Sequence, residues 1–209
     1  MKTIGSTIIM LALASSLFAD NGKELKLASP DGTHEIVFYQ KQVSPAVNEL
    51  CYRVDYKSQP VVNESRAGLE LDNRIWEMAL GVRNLKQPAC WMDNLEVDSV
   101  TYQPETNLTW QPLYGERSSV RDHYRAGTLC LSKKDNSGYR LNIEVRAYNE
   151  GVAFRYFFPE HPKAIFHKVV GDLTEYALPA GTKAWTEQWA QAFFERLNID
   201  DIKQDRKSV

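Results

Sequence analysis

Period-two alternation dominates the chain. Over 49–57, Leu50, Tyr52, Val54 and Tyr56 share one face, with Cys51, Arg53, Asp55 and Lys57 on the other. Over 139–147, Tyr139, Leu141, Ile143, Val145 and Ala147 alternate with Arg140, Asn142, Glu144 and Arg146. Side chains of a strand point alternately to the two faces of its sheet, so each run predicts a strand with one apolar and one polar face. Asn149-Glu150-Gly151 then carries turn chemistry before an apolar run at 152–158. Together 139–158 predict a β-hairpin with Gly151 in the left-handed conformation. A second hairpin is predicted from 24–28 and 34–40 around Pro30-Asp31-Gly32. Shorter strands are expected at 66–71, 127–132, 165–170 and 173–178, the last two separated by Gly171-Asp172. The stretch 72–108 is the least regular and is expected to hold long loops as well as strands. Only 186–196 offers a helical pattern, and a weak one. This many short strands with frequent turn signals predicts an antiparallel sandwich or barrel.

The first residues break the pattern. Lys2 precedes an uncharged run from Ile4 to Leu17, Ser15, Ser16 and Ala19 supply small residues near a cut, and Asp20-Asn21-Gly22-Lys23 turns polar. This is the plan of a secretory signal peptide over 1–19, cleaved after Ala19. An uncleaved anchor is the competing reading, but the run falls short of the roughly 20 residues that span a bilayer. No other stretch approaches that length, so the mature chain is expected to have no membrane association. At the other end, 200–209 is dense in charge without apolar period, and is read as a truncated or disordered tail.

Composition narrows the function classes. With 43% hydrophobic and 25% charged residues among 209, the chain is globular and not disordered. Lys and Arg number 25 against 27 Asp and Glu, a net charge of -2, which offers no basic face for nucleic acid. Cys51, Cys90 and Cys130 form no C-x-x-C pair and are read as small buried hydrophobes, not zinc ligands or staples.

Phosphate-loop, dinucleotide, nucleophile-elbow and H-E-x-x-H motifs are all absent. His161 and His167 are read as hydrogen-bonded imidazoles, not as metal ligands. Glu187 and Glu195 stand among Trp185, Trp189, Phe193 and Phe194. Paired carboxylates beside aromatic faces suit a sugar, because glycoside hydrolysis needs two acids and aromatic rings stack on sugar faces. The same aromatics could instead close one end of a sandwich core. In 110–117 (WQPLYGER), Pro112 and Gly115 impose a defined loop between two strands, with Trp110 and Glu116 on it. Arg146 and Arg155 flank the predicted hairpin turn and are read as structural, holding loops through buried carboxylate pairs.

These segments, in order, carry a resemblance: W-Q-P-L-Y-G-E-R at 110–117, R-D-H-Y at 121–124, E-V-R-A-Y-N-E-G-V-A-F-R-Y at 144–156, T-E-Y-A-L-P at 174–179 and A-W-T-E-Q-W-A-Q-A-F-F-E at 184–195. The chain resembles the N-terminal domain of glycoside hydrolase family 97, α-glucosidases and α-galactosidases of Bacteroides-type bacteria. The resemblance implies an all-β fold, a large antiparallel β-sandwich of the galactose-mutarotase supersandwich type over 20–199, with its completeness at the C-terminus left open. It implies a catalytic (β/α)8 barrel, in the full-length protein or in trans, that carries the catalytic acid and its base or nucleophile, so that no catalytic residue is expected in this chain. It further implies a Ca²⁺ ion bound only with that barrel present, to which the sandwich lends a glutamate. Glu195 is the matching position and Glu187 the reserve. Trp185, Trp189 and Phe194 are the aromatics expected to face an α-glucoside or α-galactoside oligosaccharide. Trp110, Pro112, Gly115, Glu116, Arg146, Gly151 and Arg155 form the structural motif. A periplasmic or secreted location in a Gram-negative cell follows from the signal peptide. The alternatives are a working glycosidase built on Glu187, Glu195 or Glu116, and a self-standing sugar-binding or structural sandwich with no enzyme role.

Overall fold

A computed structural model describes residues 23–81, 90–135, 137–163, 166–187, 191 and 193–202. The signal-peptide segment, Trp189 and residues 203–209 lie outside them. Strands β1 (Glu24–Ala28), β2 (His34–Ser44), β3 (Val47–Tyr56) and β4 (Gln59–Arg66) form one up-and-down antiparallel sheet. A short strand β5 (Leu69–Leu71) and a single turn of helix α1 (Arg74–Ala79) follow. Strands β6 (Leu95–Trp110), β7 (Val120–Lys133), β8 (Arg140–Tyr148) and β9 (Gly151–Phe157) form the second four-stranded sheet, again in chain order. After it, β10 (Val169–Asp172) returns to pair with β5, and β11 (Lys183–Thr186) pairs with β12 (Glu195–Asn198) before a 3-10 turn at Ile199–Asp201.

The alternation fixes the core. Leu25, Leu27, Ile36, Phe38, Leu50, Tyr52 and Val54 come from the first sheet and Leu129, Leu131, Leu141, Ile143, Val145 and Ala147 from the second, and all join one buried cluster. The fold is therefore an all-β sandwich, as expected. Gly127 marks how closely the sheets approach: a Cβ there would lie 3.2 Å from Leu25 Cδ1. Two-residue turns such as Lys57-Ser58, with φ of 48° and 62°, match the right-handed twist of the strands they join.

Several boundaries differ from the sequence pattern. The strand expected at 127–132 extends over Val120–Lys133. The irregular stretch 72–108 holds α1 and most of β6, which escaped notice because β6 is an edge strand whose outer length is exposed on both faces. Residues 66–71 break at 67–68 into the end of β4 and β5. Gly171-Asp172 lies inside β10 rather than between strands. Beyond it, Asp172 Oδ1 accepts from Thr174 N at 3.0 Å, turning the backbone out of the ladder. Residues 173–177 still follow β4 through Glu175 N to Arg66 O (2.8 Å) and Asn63 N to Ala177 O (2.7 Å), but the Ser65 hydroxyl intercepts Ala177 N. The helical reading of 186–196 gives way to strand pairing of Thr186 with Glu195, since the hairpin ladder takes up those backbone groups. Tyr56 is exposed; Cys51 and Cys90 are buried and Cys130 half-buried, all three as free thiols.

Candidate functional site

Two places gather the residues singled out by the sequence. The first is the β11–β12 hairpin. Its register sets Trp185 opposite Arg196 and Thr186 opposite Glu195, and Glu187 follows directly on β11. Both carboxylates are exposed. Trp185 is 70% exposed, Phe193 94% and Phe194 68%, so these aromatics do not close the end of the sandwich core. Hard carboxylate oxygens on an open hairpin suit Ca²⁺. Among the described residues no group of three or more His, Cys, Asp or Glu gathers around a common point.

The second place is the outer face of the β6–β9 sheet, where a groove of about 740 Å³ opens. Three cross-strand rows build it. Thr128, Glu144 and Arg155 are in register on β7, β8 and β9; so are Ala126, Arg146 and Ala153, and then Tyr124, Tyr148 and Gly151. The middle row is small on both sides of Arg146, which leaves space beside the guanidinium. That group lies 4.4 Å from the Tyr124 ring centre, and Tyr124 and Tyr148 pack at 5.1 Å. Arg146 Nη1 also reaches the Tyr148 hydroxyl at 3.4 Å, which pushes the guanidinium pKa further up.

The carboxylates of the groove are taken. Arg155 donates from Nε to Glu144 at 2.7 Å. Glu105 accepts from His123 Nε2 at 2.7 Å and Arg125 Nε at 3.0 Å, and these bonds, the His123 one first, hold its carboxyl below the usual range. Arg146 has no carboxylate within ion-pair distance among the described residues. The expectation of buried Arg–carboxylate pairs holding loops is thus corrected. Arg155 is a surface residue, its side chain 70% exposed, and both arginines look out of the open sheet face because polar positions of β8 and β9 point away from the core. Gly151 opens β9 at φ 158°, nearer to extended than to the left-handed well expected of it.

Trp110 ends β6, and Pro112, Gly115 and Glu116 sit in the loop that joins it to β7, as the sequence implied. Gly115 has φ 124°, a conformation glycine adopts freely. None of these residues, and none of the described hairpin residues, lines the groove. Sequence reading brought Arg146 and Arg155 forward but missed Glu105 and Tyr148. Their signal was the polar half of the alternation, which marks an open face without saying what converges on it. His161 Nε2 lies 2.8 Å from Ser137 O and His167 Nδ1 3.0 Å from Asn73 Nδ2, so both are hydrogen-bonded imidazoles. No helix among the described residues is long and apolar enough to cross a membrane.

Comparison with known proteins shows the family. The family described as glycosyl-hydrolase 97 N-terminal matches residues 27–208. A retaining alpha-galactosidase of Bacteroides thetaiotaomicron is 26% identical over 178 residues, covering 85% of this chain and 22% of the relative. Among solved structures, a variant of a glycoside hydrolase family 97 enzyme from Pseudoalteromonas sp. strain K8 superposes with a TM-score of 0.67 at 24% identity over 85% of this chain and 25% of that one. A beta-arabinopyranosidase structure follows at TM-score 0.61 and 18% identity, with 78% and 23% covered. The chain spans about a quarter of the length of these relatives.

Proposed function

Because the chain belongs to the glycosyl-hydrolase 97 N-terminal family, we propose that it serves as the carbohydrate-associated β-sandwich of an exported α-glycosidase acting on α-glucosides or α-galactosides. The observation that carries this reading is the match over 27–208 to a family of N-terminal domains, supported by a curated α-galactosidase relative. The sandwich packs on a (β/α)8 barrel, and the barrel supplies the acid and the base or nucleophile. Glu195, with Glu187 in reserve, contributes one carboxylate to a Ca²⁺ shell completed by the barrel. When bound, the ion would supply Lewis-acid charge. This chain's part is to hold that carboxylate on the hairpin ladder and to set Trp185 and Phe194 against the substrate. The signal-peptide pattern over 1–19 supports a mature domain at 20–199 that is exported to the periplasm or outside.

A chimera tests the reading. This chain replaces the N-terminal portion of the Bacteroides thetaiotaomicron α-galactosidase, and hydrolysis of aryl α-galactosides and α-glucosides is followed against added calcium. The chimera is expected to turn over, with Glu195→Ala raising the calcium needed. Sustained turnover by this chain alone, abolished by Glu195→Gln, would overturn the assignment of catalysis to the barrel. Millimolar or tighter maltose binding by the chain alone, seen in Trp fluorescence, together with an inactive chimera, would favour a self-standing module.

A further inference from the structure

The groove on the outer face of the β6–β9 sheet has a composition that the glycosidase reading does not use. Its volume of about 740 Å³ falls in the range of small-molecule sites, roughly 300–1,000 Å³. Its walls differ in chemistry. One is the Thr128–Glu144–Arg155 row, charged but internally neutralised; the other is the Tyr124–Tyr148 pair. Between them lies Arg146, with alanines on both neighbouring strands. Replacing either alanine with a larger residue would fill the space beside the guanidinium. The Tyr124 ring restrains the fork from one side, so less freedom is lost when it grips a planar anion.

We propose that this groove binds a saccharide bearing an acidic group, a carboxylate or a sulfate ester, with Arg146 holding the acid and the tyrosine wall and polar row holding the sugar. Charge complementarity selects this occupant. Glu105 and Glu144 each have their own cations, and Asp122, whose charge also reaches Arg146, lies beyond ion-pair distance, so the Arg146 fork is left for a ligand to pair. A guanidinium pairs an oxyanion through two parallel charge-assisted hydrogen bonds, roughly twice as strong as the neutral ones that sugar hydroxyls accept. Gln103 donates to Thr128 Oγ1 at 3.1 Å, and the pair brings an amide and a hydroxyl to the lining for sugar hydroxyls. The groove's lining shares no residue with the described part of the β11–β12 hairpin.

Titration calorimetry on the full chain tests it, with trigalacturonate, a sulfated galactose trisaccharide and neutral maltotriose at low ionic strength. At least one acidic sugar is expected to bind, and the two acidic arms tell carboxylate from sulfate ester. Maltotriose should bind at least about 10-fold more weakly, and Arg146→Gln should cost roughly 10- to 100-fold in affinity for the acid. Arg146→Lys should recover only part of that, because a point charge lacks the fork. Ala153→Leu should block binding with unchanged circular dichroism and melting. Equal affinity for maltotriose, full binding by Arg146→Gln, no binding of either acid, or displacement by acetate or inorganic sulfate as effective as by the oligosaccharide would each overturn the proposal. The chimera reports on Glu195 and calcium, and these titrations on Arg146, so failure of one reading is distinguishable from failure of the other.

Discussion

Tyr52 donates its hydroxyl to the main-chain oxygen of Glu175 at 2.6 Å, joining residues 123 positions apart. Tyr52 is an inward residue of β3, 1% exposed and stacked on Phe38. Glu175 belongs to the irregular segment that follows β4 toward the β11–β12 hairpin. One hydroxyl therefore ties the centre of the first sheet to the route leading to the candidate calcium ligand. Tyr52→Phe keeps the ring packing and strands the carbonyl. A loss of about 1–2 kcal/mol is expected, read as a fall in melting temperature of roughly 2–8 °C for a chain of this size. Faster amide exchange confined to 173–177 would locate the effect; unchanged melting and exchange would show that the bond carries no weight.

The hairpin prediction concerns calcium. In the chimera, Glu195→Ala is expected to raise the calcium concentration for half-maximal activity by roughly 10-fold, since ligand charge count is one of the two factors that set Ca²⁺ affinity. Glu187→Ala should have little effect. The reverse ranking would move the ligand role to Glu187, and no change in either would assign both to the surface.

The core strands were legible because burial on one face writes period two into the sequence. Leu141, Ile143, Val145 and Ala147 are buried and Arg140, Asn142, Glu144 and Arg146 are not, as the alternation required. β6 was illegible for the same reason. Leu95, Val97 and Val100 of β6 do reach the core, but a bulge between Val97 and Ser99 breaks their period, and the outer part, with Thr106, Asn107, Leu108 and Trp110 all in solvent or nearly so, has no face to bury. The stretch 173–178 misled because its pattern is strand-like while Asp172 and Ser65, through local hydrogen bonds, take the backbone out of regular pairing. At the candidate site, sequence order delivered Glu195 beside its aromatics because a hairpin keeps neighbours together. The convergence of Glu105, Tyr124, Arg146 and Arg155 spans four strands, and only the register of the sheet brings them to one groove.

His167 makes stability sensitive to acid. It stacks on Phe158 at 4.4 Å and accepts at Nδ1 from the Asn73 amide at 3.0 Å, while Asn73 Oδ1 accepts from Lys168 N at 3.3 Å and fixes the amide's orientation. Burial, and then the charge of nearby His161, lower its pKa from the ordinary 6.5. The folded chain thus prefers the neutral ring. Above pH 6.5 both states are neutral and the preference is silent. As the pH falls below 6.5, the unfolded chain binds a proton that the folded chain resists, and stability declines until the folded ring also titrates. His167→Gln should therefore melt with a shallower decline between about pH 7 and pH 5 than the parent. Identical slopes would mean that His167 titrates alike in both states.

Tyr139 gives the opposite case to Tyr52. It is wholly buried, its ring packed 5.8 Å from Trp91 and 5.3 Å from His167, yet its hydroxyl has no hydrogen-bond partner among the described residues. Burial pushes that hydroxyl's pKa up to about 12. A buried hydroxyl without a partner costs about 1–3 kcal/mol, so removing it while keeping the ring should relieve the cost. Tyr139→Phe is expected to match or exceed the parent in stability, whereas Tyr139→Ala should lose about 3–5 kcal/mol by opening a cavity. Chemical denaturation of the three chains separates the outcomes. A Tyr139→Phe variant weaker than the parent by more than about 1 kcal/mol would mean that the hydroxyl is bonded in solution, and the contrast between the two tyrosines would fail.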